Sequence, residues 1–159
     1  WPLGHSYQTF MADHQSGPSG SVEMLLESTL ESVDTAETVV LKAAEEAGFE
    51  EEHLHKLGMA VREAAVNAVV HGNRYNLRKK VHLSVRTERD SLRIVISDEG
   101  EGFEMNELPD PLAEENLLRQ SGRGLLLIQA FVDEFRMERG QPPLGTEVTL
   151  VVHKNRQQS

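Results

Sequence analysis

Leu57–Val70 reads LGMAVREAAVNAVV, with only Arg62, Glu63 and Asn67 polar. Apolar residues cover nearly the whole circumference of a helix written with this stretch, so the helix should be buried on most sides. Its apolar pattern begins near Glu51 and stops at His71, where Gly72 and Asn73 end it. At 100° per residue, Glu63, Asn67 and His71 fall on one stripe, successive turns apart. A carboxylate, an amide and an imidazole in line on a buried helix need partners or a cleft, because unpaired polar burial is costly. A satisfied core network or a polar helix edge would meet that need. So would a ligand. Asn67 offers a neutral oxygen suited to Mg²⁺, Glu63 could take a proton from a hydroxyl beside a phosphate, and His71 could hydrogen-bond a phosphate oxygen.

Outward from that helix the patterns are short and regular. Val22, Met24 and Leu26 alternate with Glu23, Leu25 and Glu27, which predicts a half-buried strand from Ser21. Val33, Ala36, Val40, Ala43, Ala44 and Ala47 are helically spaced over 32–47, and Gly48 is the stop. Alternation resumes at Val81, Leu83 and Val85, and again at Leu92, Ile94 and Ile96 after a turn near Arg89 and Asp90. Residues 99–121 carry little periodicity, and an ordered loop of that length points to a functional lid over 103–121. Gly124 opens an apolar helix to about Val132, followed by strands over about 134–139 and 146–153. The order β-α-α-β-β-lid-α-β-β predicts an α+β two-layer sandwich, a mixed sheet with helices on one face.

Composition narrows the chemistry. The chain has 159 residues and no cysteine, which excludes disulfide scaffolds, thiolate zinc sites and cysteine nucleophiles. Lys and Arg total 16 against 26 Asp and Glu, so a phosphate backbone would be repelled overall and direct nucleic-acid binding is not expected. No apolar run approaches the roughly 20 residues of a membrane span, and a cytoplasmic protein without membrane contact is expected. Bases are concentrated in 72–94, seven against two acids, a stretch that faces either solvent or a phosphorylated or acidic ligand. Residues 1–20, rich in Gly, Pro, Ser, His and Gln, read as a disordered segment or a cloning remnant, with Met11 a candidate native start. A domain over 21–153 and a flexible tail over 154–159 follow.

Three further signals lie along the chain. Asp98-Glu99-Gly100-Glu101-Gly102 follows a strand. An Asp there can accept from an exocyclic amine while glycines let backbone approach a flat ring, although a glycine-rich turn alone explains it equally well. The spacing of an EF-hand does not fit. Ser121-Gly122-Arg123-Gly124 opens an apolar helix, where free N–H groups and the helix dipole favour an anion; the Walker A spacing is absent. Gly145-Thr146 enters the last strand and as a dipeptide carries no signal of its own.

Taken in order, Glu-x-x-x-Asn on a helix, Asp-x-Gly-x-Gly after a strand, a lid, Gly-x-Gly opening a helix and Gly-Thr before a strand resemble the N, G1 and G2 boxes of the GHKL ATPase superfamily. That superfamily has the Bergerat nucleotide-binding fold. The wording of REAAVNAVVHGN, ISDEGEGF, ENLLRQSGRGLLLIQAFVDEF and GTEVTL is most similar to the anti-sigma-factor serine/threonine kinases, over about residues 21–153. The resemblance implies ATP and Mg²⁺ as cofactors, Asn67 as the Mg²⁺ ligand and Glu63 as catalytic base. It implies Asp98 as acceptor of the adenine amine, Gly100 and Gly102 shaping the base pocket, and Gly122, Arg123 and Gly124 binding phosphate. Thr146 would sit beside adenine. The implied activity is ATP-dependent phosphorylation of a serine on a small antagonist (anti-anti-sigma) protein, in a partner switch with a sigma factor and with a homodimer as a further expectation. A non-catalytic, ATP-responsive module that sequesters a regulatory partner is the alternative. At this length neither the transducer domain of gyrase-like relatives nor the helical hairpin of histidine kinases is expected.

Overall fold

The structure is a computed structural model that describes residues 20–101 and 124–154. The expected lid, Gly102, Gly122, Arg123, the segment before Gly20 and the tail beyond Lys154 lie outside the described residues.

Strand β1 (Gly20–Leu26) buries Val22, Met24 and Leu26 and exposes the residues between them. The chain then forms helices α1 (Leu30–Glu46) and α2 (Glu51–Val66). Helix α1 turns Val33, Ala36, Val40 and Ala44 into the core. It ends in paired bonds from Phe49 N–H to Ala44 O and from Gly48 N–H to Glu45 O, with Gly48 at φ +94. This left-handed closure is the one glycine accepts without a steric cost. The two helices cross closely at Gly58, where an added Cβ would lie 2.9 Å from Glu37 Oε2. On the exposed side Arg62 donates to both Asp34 and Glu37 at 2.7 Å.

Beyond α2 the chain departs from the expected continuous α-helix. Asn67–Gly72 is a π turn, closed by a five-residue bond from Asn73 N–H to Ala68 O at 2.8 Å. Such a turn widens the helix by one residue and frequently marks a functional site.

Strands β2 (Val81–Thr87), β3 (Ser91–Ser97), β4 (Glu134–Arg139) and β5 (Thr146–His153) complete a sheet of order β1-β2-β3-β5-β4. Helix α3 (Gly124–Phe131) precedes β4. Every described pairing is antiparallel, which corrects the expected mixture of directions within an otherwise matching α+β sandwich. The reason is in the connections. Two helices between β1 and β2 reverse the chain twice, so β2 returns antiparallel. Strands β3 and β4 point the same way, but β5 lies between them and runs antiparallel to both.

Register sets one face of the sheet against the helices. Met24, Leu83, Ile96, Val148 and Met137 are successive partners across all five strands, and all are buried. A one-residue slip in any strand would turn its part of that row to solvent. Among the described residues no helix is long and apolar enough to cross a membrane.

Candidate nucleotide site

A cavity of about 280 Å³ opens where the end of α2, the turn after β3 and the start of β5 meet. Its floor is the helix-facing side of the sheet, through Ile96, Val148 and Met137, with Leu125 of α3 as an apolar wall. Four of the residues singled out in the sequence line it: Asn67, His71, Asp98 and Thr146. They come from three elements far apart in sequence.

Asp98 is the most constrained of them. It is 4% exposed, and its Oδ1 accepts from Gly100 N–H at 3.0 Å and Thr146 N–H at 3.1 Å. Its own main chain is paired with β5: Asp98 N–H donates to Thr146 O, and Gly145 N–H donates to Asp98 O. Among the described residues nothing donates to Oδ2. Burial pushes the carboxyl above its ordinary value, opposed by the N–H groups of Thr146 and Gly100 and the charge of Lys79. A buried carboxylate with one oxygen held by main chain and the other unclaimed is suited to accept from an amine on a flat ligand.

Three backbones close around this carboxylate. A Cβ at Gly72 would overlap Asp98 Oδ2, and one at Gly100 would overlap Gly72 O. A Cβ at Gly145 would come within 2.6 Å of Asp98 Oδ1. Gly100 thus packs against Gly72 beside the Asp98 carboxylate. The close packing of Gly72 and Gly145 on that carboxylate was not disclosed by the sequence: the first reads as a helix stop and the second as half of a common dipeptide.

The other end of the cavity is built differently. Asn67 begins the π turn, and among the described residues its buried Nδ2 has no hydrogen-bond partner. His71 is exposed at the rim. Glu63 lies half-buried one turn before Asn67 and is not among the lining residues. Gly124 begins α3, which places Leu125 in the wall. The basic stretch divides: Arg74 and Lys79 line the cavity, whereas Arg86 and Arg93 are exposed register partners away from it.

Beside Asp98, Glu99 closes the turn onto β2. It accepts from Lys80 N–H at 3.0 Å and pairs with His82 Nε2 at 2.7 Å. Burial would raise the Glu99 carboxyl, but the bonds from His82 and Lys80 prevail and hold it below the ordinary carboxylate range.

With this geometry in place, comparison with known proteins is specific. Residues 26–152 match the family described as histidine kinase-like ATPase domain. The serine-protein kinase RsbW of Oceanobacillus iheyensis is 30% identical over 122 residues, covering 73% of this chain and 77% of that protein. The anti-sigma F factor of Bacillus subtilis is 32% identical over 104 residues, covering 64% and 70%. Among solved structures, the RsbU and RsbW domains of a Mycobacterium tuberculosis protein share the fold with a TM-score of 0.60 and 18% identity, over 84% of this chain and 32% of that one. A histidine kinase domain from Erythrobacter litoralis aligns with a TM-score of 0.54 and 16% identity, over 95% of this chain and 70% of that one.

Proposed function

The chain belongs to the histidine kinase-like ATPase domain family, and on that premise we propose that it is an ATP-dependent serine protein kinase and anti-sigma factor. Its partners are a sigma factor and a small antagonist protein, and the antagonist's serine is the phosphoryl acceptor. The reading draws on the names of its relatives, a serine-protein kinase and an anti-sigma factor. The observation that carries it is one cavity lined by a buried, half-satisfied Asp98 at one end and, at the other, by Asn67, whose buried Nδ2 has no partner among the described residues.

Each end suits one part of Mg-ATP. Oδ2 of Asp98 accepts from the adenine amine, with Thr146 beside the ring and Ile96 and Leu125 supplying apolar surface for its faces. Asn67 fits the metal: among the described residues nothing pairs with its Nδ2, and its oxygen can serve a hard cation. Among the described residues no cluster of three or more His, Cys, Asp or Glu side chains forms a cage. Mg²⁺ bound through one protein oxygen would be shared with phosphates and water, as this ion usually is, and would neutralise phosphate charge there. Arg74 and Lys79 add positive charge to the walls. Phosphate contacts by Gly122, Arg123 and Gly124 complete the proposed set.

In the transfer itself the serine oxygen bonds to the γ-phosphorus, the bond from that phosphorus to the β–γ bridging oxygen breaks, and ADP leaves. Glu63, one turn from Asn67, takes the serine proton. Its absence from the cavity lining agrees with a base that meets the acceptor hydroxyl rather than the nucleotide, and such contacts tighten only with substrate in place. A cytoplasmic location and a homodimer complete the proposal.

The test mixes the protein with γ-labelled ATP, Mg²⁺ and the antagonist. Label on an antagonist serine, and displacement of sigma factor by the unphosphorylated antagonist alone, are expected. ATP binding with no transferred label would convert the reading to a non-catalytic, ATP-responsive module.

A further inference from the structure

We propose that Asn73 is a positioning residue that ties the Asn67 end of the cavity to the Asp98 turn and thereby sets the preference of the site for adenine. The proposal deepens the nucleotide reading above and rests on it. Asn73 is 2% exposed and stands directly after the π turn that begins at Asn67. Every polar group it has is engaged. Nδ2 donates to Ser28 Oγ and to Lys80 O, both at 2.9 Å, and Oδ1 accepts from Glu99 N–H at 2.8 Å. Its main-chain N–H closes the π turn on Ala68 O, and its main-chain O accepts from Asn76 N–H. Ser28 in turn donates to Lys79 O at 2.5 Å.

A buried amide satisfied on all sides cannot rotate without breaking several bonds at once. Its side chain therefore has one orientation, and that orientation fixes the peptide joining Asp98 to Glu99. On the β5 side the same turn is held by main chain to main chain, through Asp98 N–H to Thr146 O and Gly145 N–H to Asp98 O. No side-chain substitution removes those bonds. On the helix side the bond that reaches the main chain of the Asp98–Glu99 turn comes from the Asn73 side chain. Lost, it leaves the turn tied across to β2 only through the Glu99 side chain, so its main chain can shift about β5 and Asp98 Oδ2 moves relative to Asn67. A nucleotide spans both ends, so the displacement is felt as lost base discrimination before it is felt as lost phosphate binding.

The probe pair is ATP and inosine triphosphate, which carries a 6-oxo group where adenine has its amine. Wild-type protein is expected to bind ATP more tightly, and the ratio of the two affinities is the readout. Loss of a well-placed bond to a charged group is worth about tenfold or more in affinity, so in Asn73→Ala the ratio should fall about tenfold. KM for ATP should rise, with kcat at saturation held. A merely structural role would lower thermal stability and weaken both nucleotides alike, leaving the ratio where it was. If Asn73→Ala does not fold, Ser28→Ala replaces it; this variant removes one acceptor of the same amide, and its ratio should fall in the same direction by a smaller factor. An unchanged ratio in the folded variant overturns the proposal and leaves the kinase reading intact. A wild-type protein that binds the two nucleotides equally would overturn the adenine reading, and this proposal with it.

Discussion

The two ends of the cavity have opposite construction. Around Asp98 the main chain holds one carboxylate oxygen and three glycine backbones pack together, so this end is assembled before any ligand arrives. Around Asn67, among the described residues, the amide nitrogen has no partner, an imidazole is exposed and the helix is widened into a π turn. On the proposed function, the first end would be a rigid base pocket that selects by fit, and the second a phosphate end finished by what binds there. Preassembly at one end lowers the ordering cost of binding. Openness at the other would admit a metal, phosphates and an acceptor hydroxyl whose arrangement changes during transfer.

The contrast is broken hardest at Glu63. General-base contributions run to about 10²–10⁴-fold in rate, so Glu63→Gln should lose phosphoryl transfer by that order and keep its ATP affinity, because Glu63 does not line the cavity. Single-turnover transfer to the antagonist, read beside calorimetric ATP binding, separates the two. Transfer at wild-type speed would place the base elsewhere.

Gly72→Ala attacks the preassembled end. The new methyl must displace the Asp98 carboxylate, and overpacking in a filled site costs about 1–3 kcal/mol. Both thermal stability and ATP affinity should fall. A variant with wild-type stability would mean the base end is looser than its packing implies.

Asn67→Ala should weaken Mg-ATP about tenfold, the scale of one lost polar contact to a charged group. Nucleotide measured with excess chelator should be nearly unaffected. Equal weakening with and without Mg²⁺ would show that Asn67 acts on the nucleotide and not through the metal.

Much of this was legible in the chain. Alternation at Val22, Met24 and Leu26, and again at Leu92, Ile94 and Ile96, located strands with the right faces inward. The helical spacing of Val33, Ala36, Val40 and Ala44 located α1. These are local patterns set by burial of one face. Asn67, Asp98 and Thr146 were each weak alone, and their order along the chain joined them; His71 stood only on its helix stripe with Glu63 and Asn67. The π turn was not legible, because α-helical spacing continues through Asn67 to His71 and only the fold decides where the ladder slips. Asn73 escaped for a related reason. Its partners Ser28 and Glu99 lie 45 and 26 residues away, and a polar residue after a glycine at a helix end is ordinarily a stop signal. The sheet directions also needed the whole topology, since β5 inserts between β3 and β4.

The smallest effect expected is on stability, and it tests whether the base end is assembled at a cost. Burial raises the Asp98 carboxyl above its ordinary value of 3.8 against the pull of two N–H donors and Lys79. The folded protein thus favours the protonated form more than the unfolded chain does. Asp98 then contributes stability that is fully present below the ordinary carboxylate value and is lost as pH rises through the raised one. Glu99, held below its ordinary range, has the opposite sign and loses its contribution as pH falls, so the wild-type profile alone mixes the two. Asp98→Asn isolates the first: it keeps an acceptor for the Gly100 and Thr146 N–H groups and removes the titration. Its melting temperature should be close to wild type at acid pH and should rise above wild type as pH increases past the raised value. The gap should be a few degrees at most, about 1 kcal/mol or less in a domain of this size. The same variant should bind ATP more weakly, since a neutral amide accepts less strongly from the adenine amine. Stability gained where affinity is lost would mean that the buried charge is kept for the nucleotide and not for the fold. Melting curves that stay parallel across pH would mean instead that the N–H donors and Lys79 fully offset the burial of Asp98.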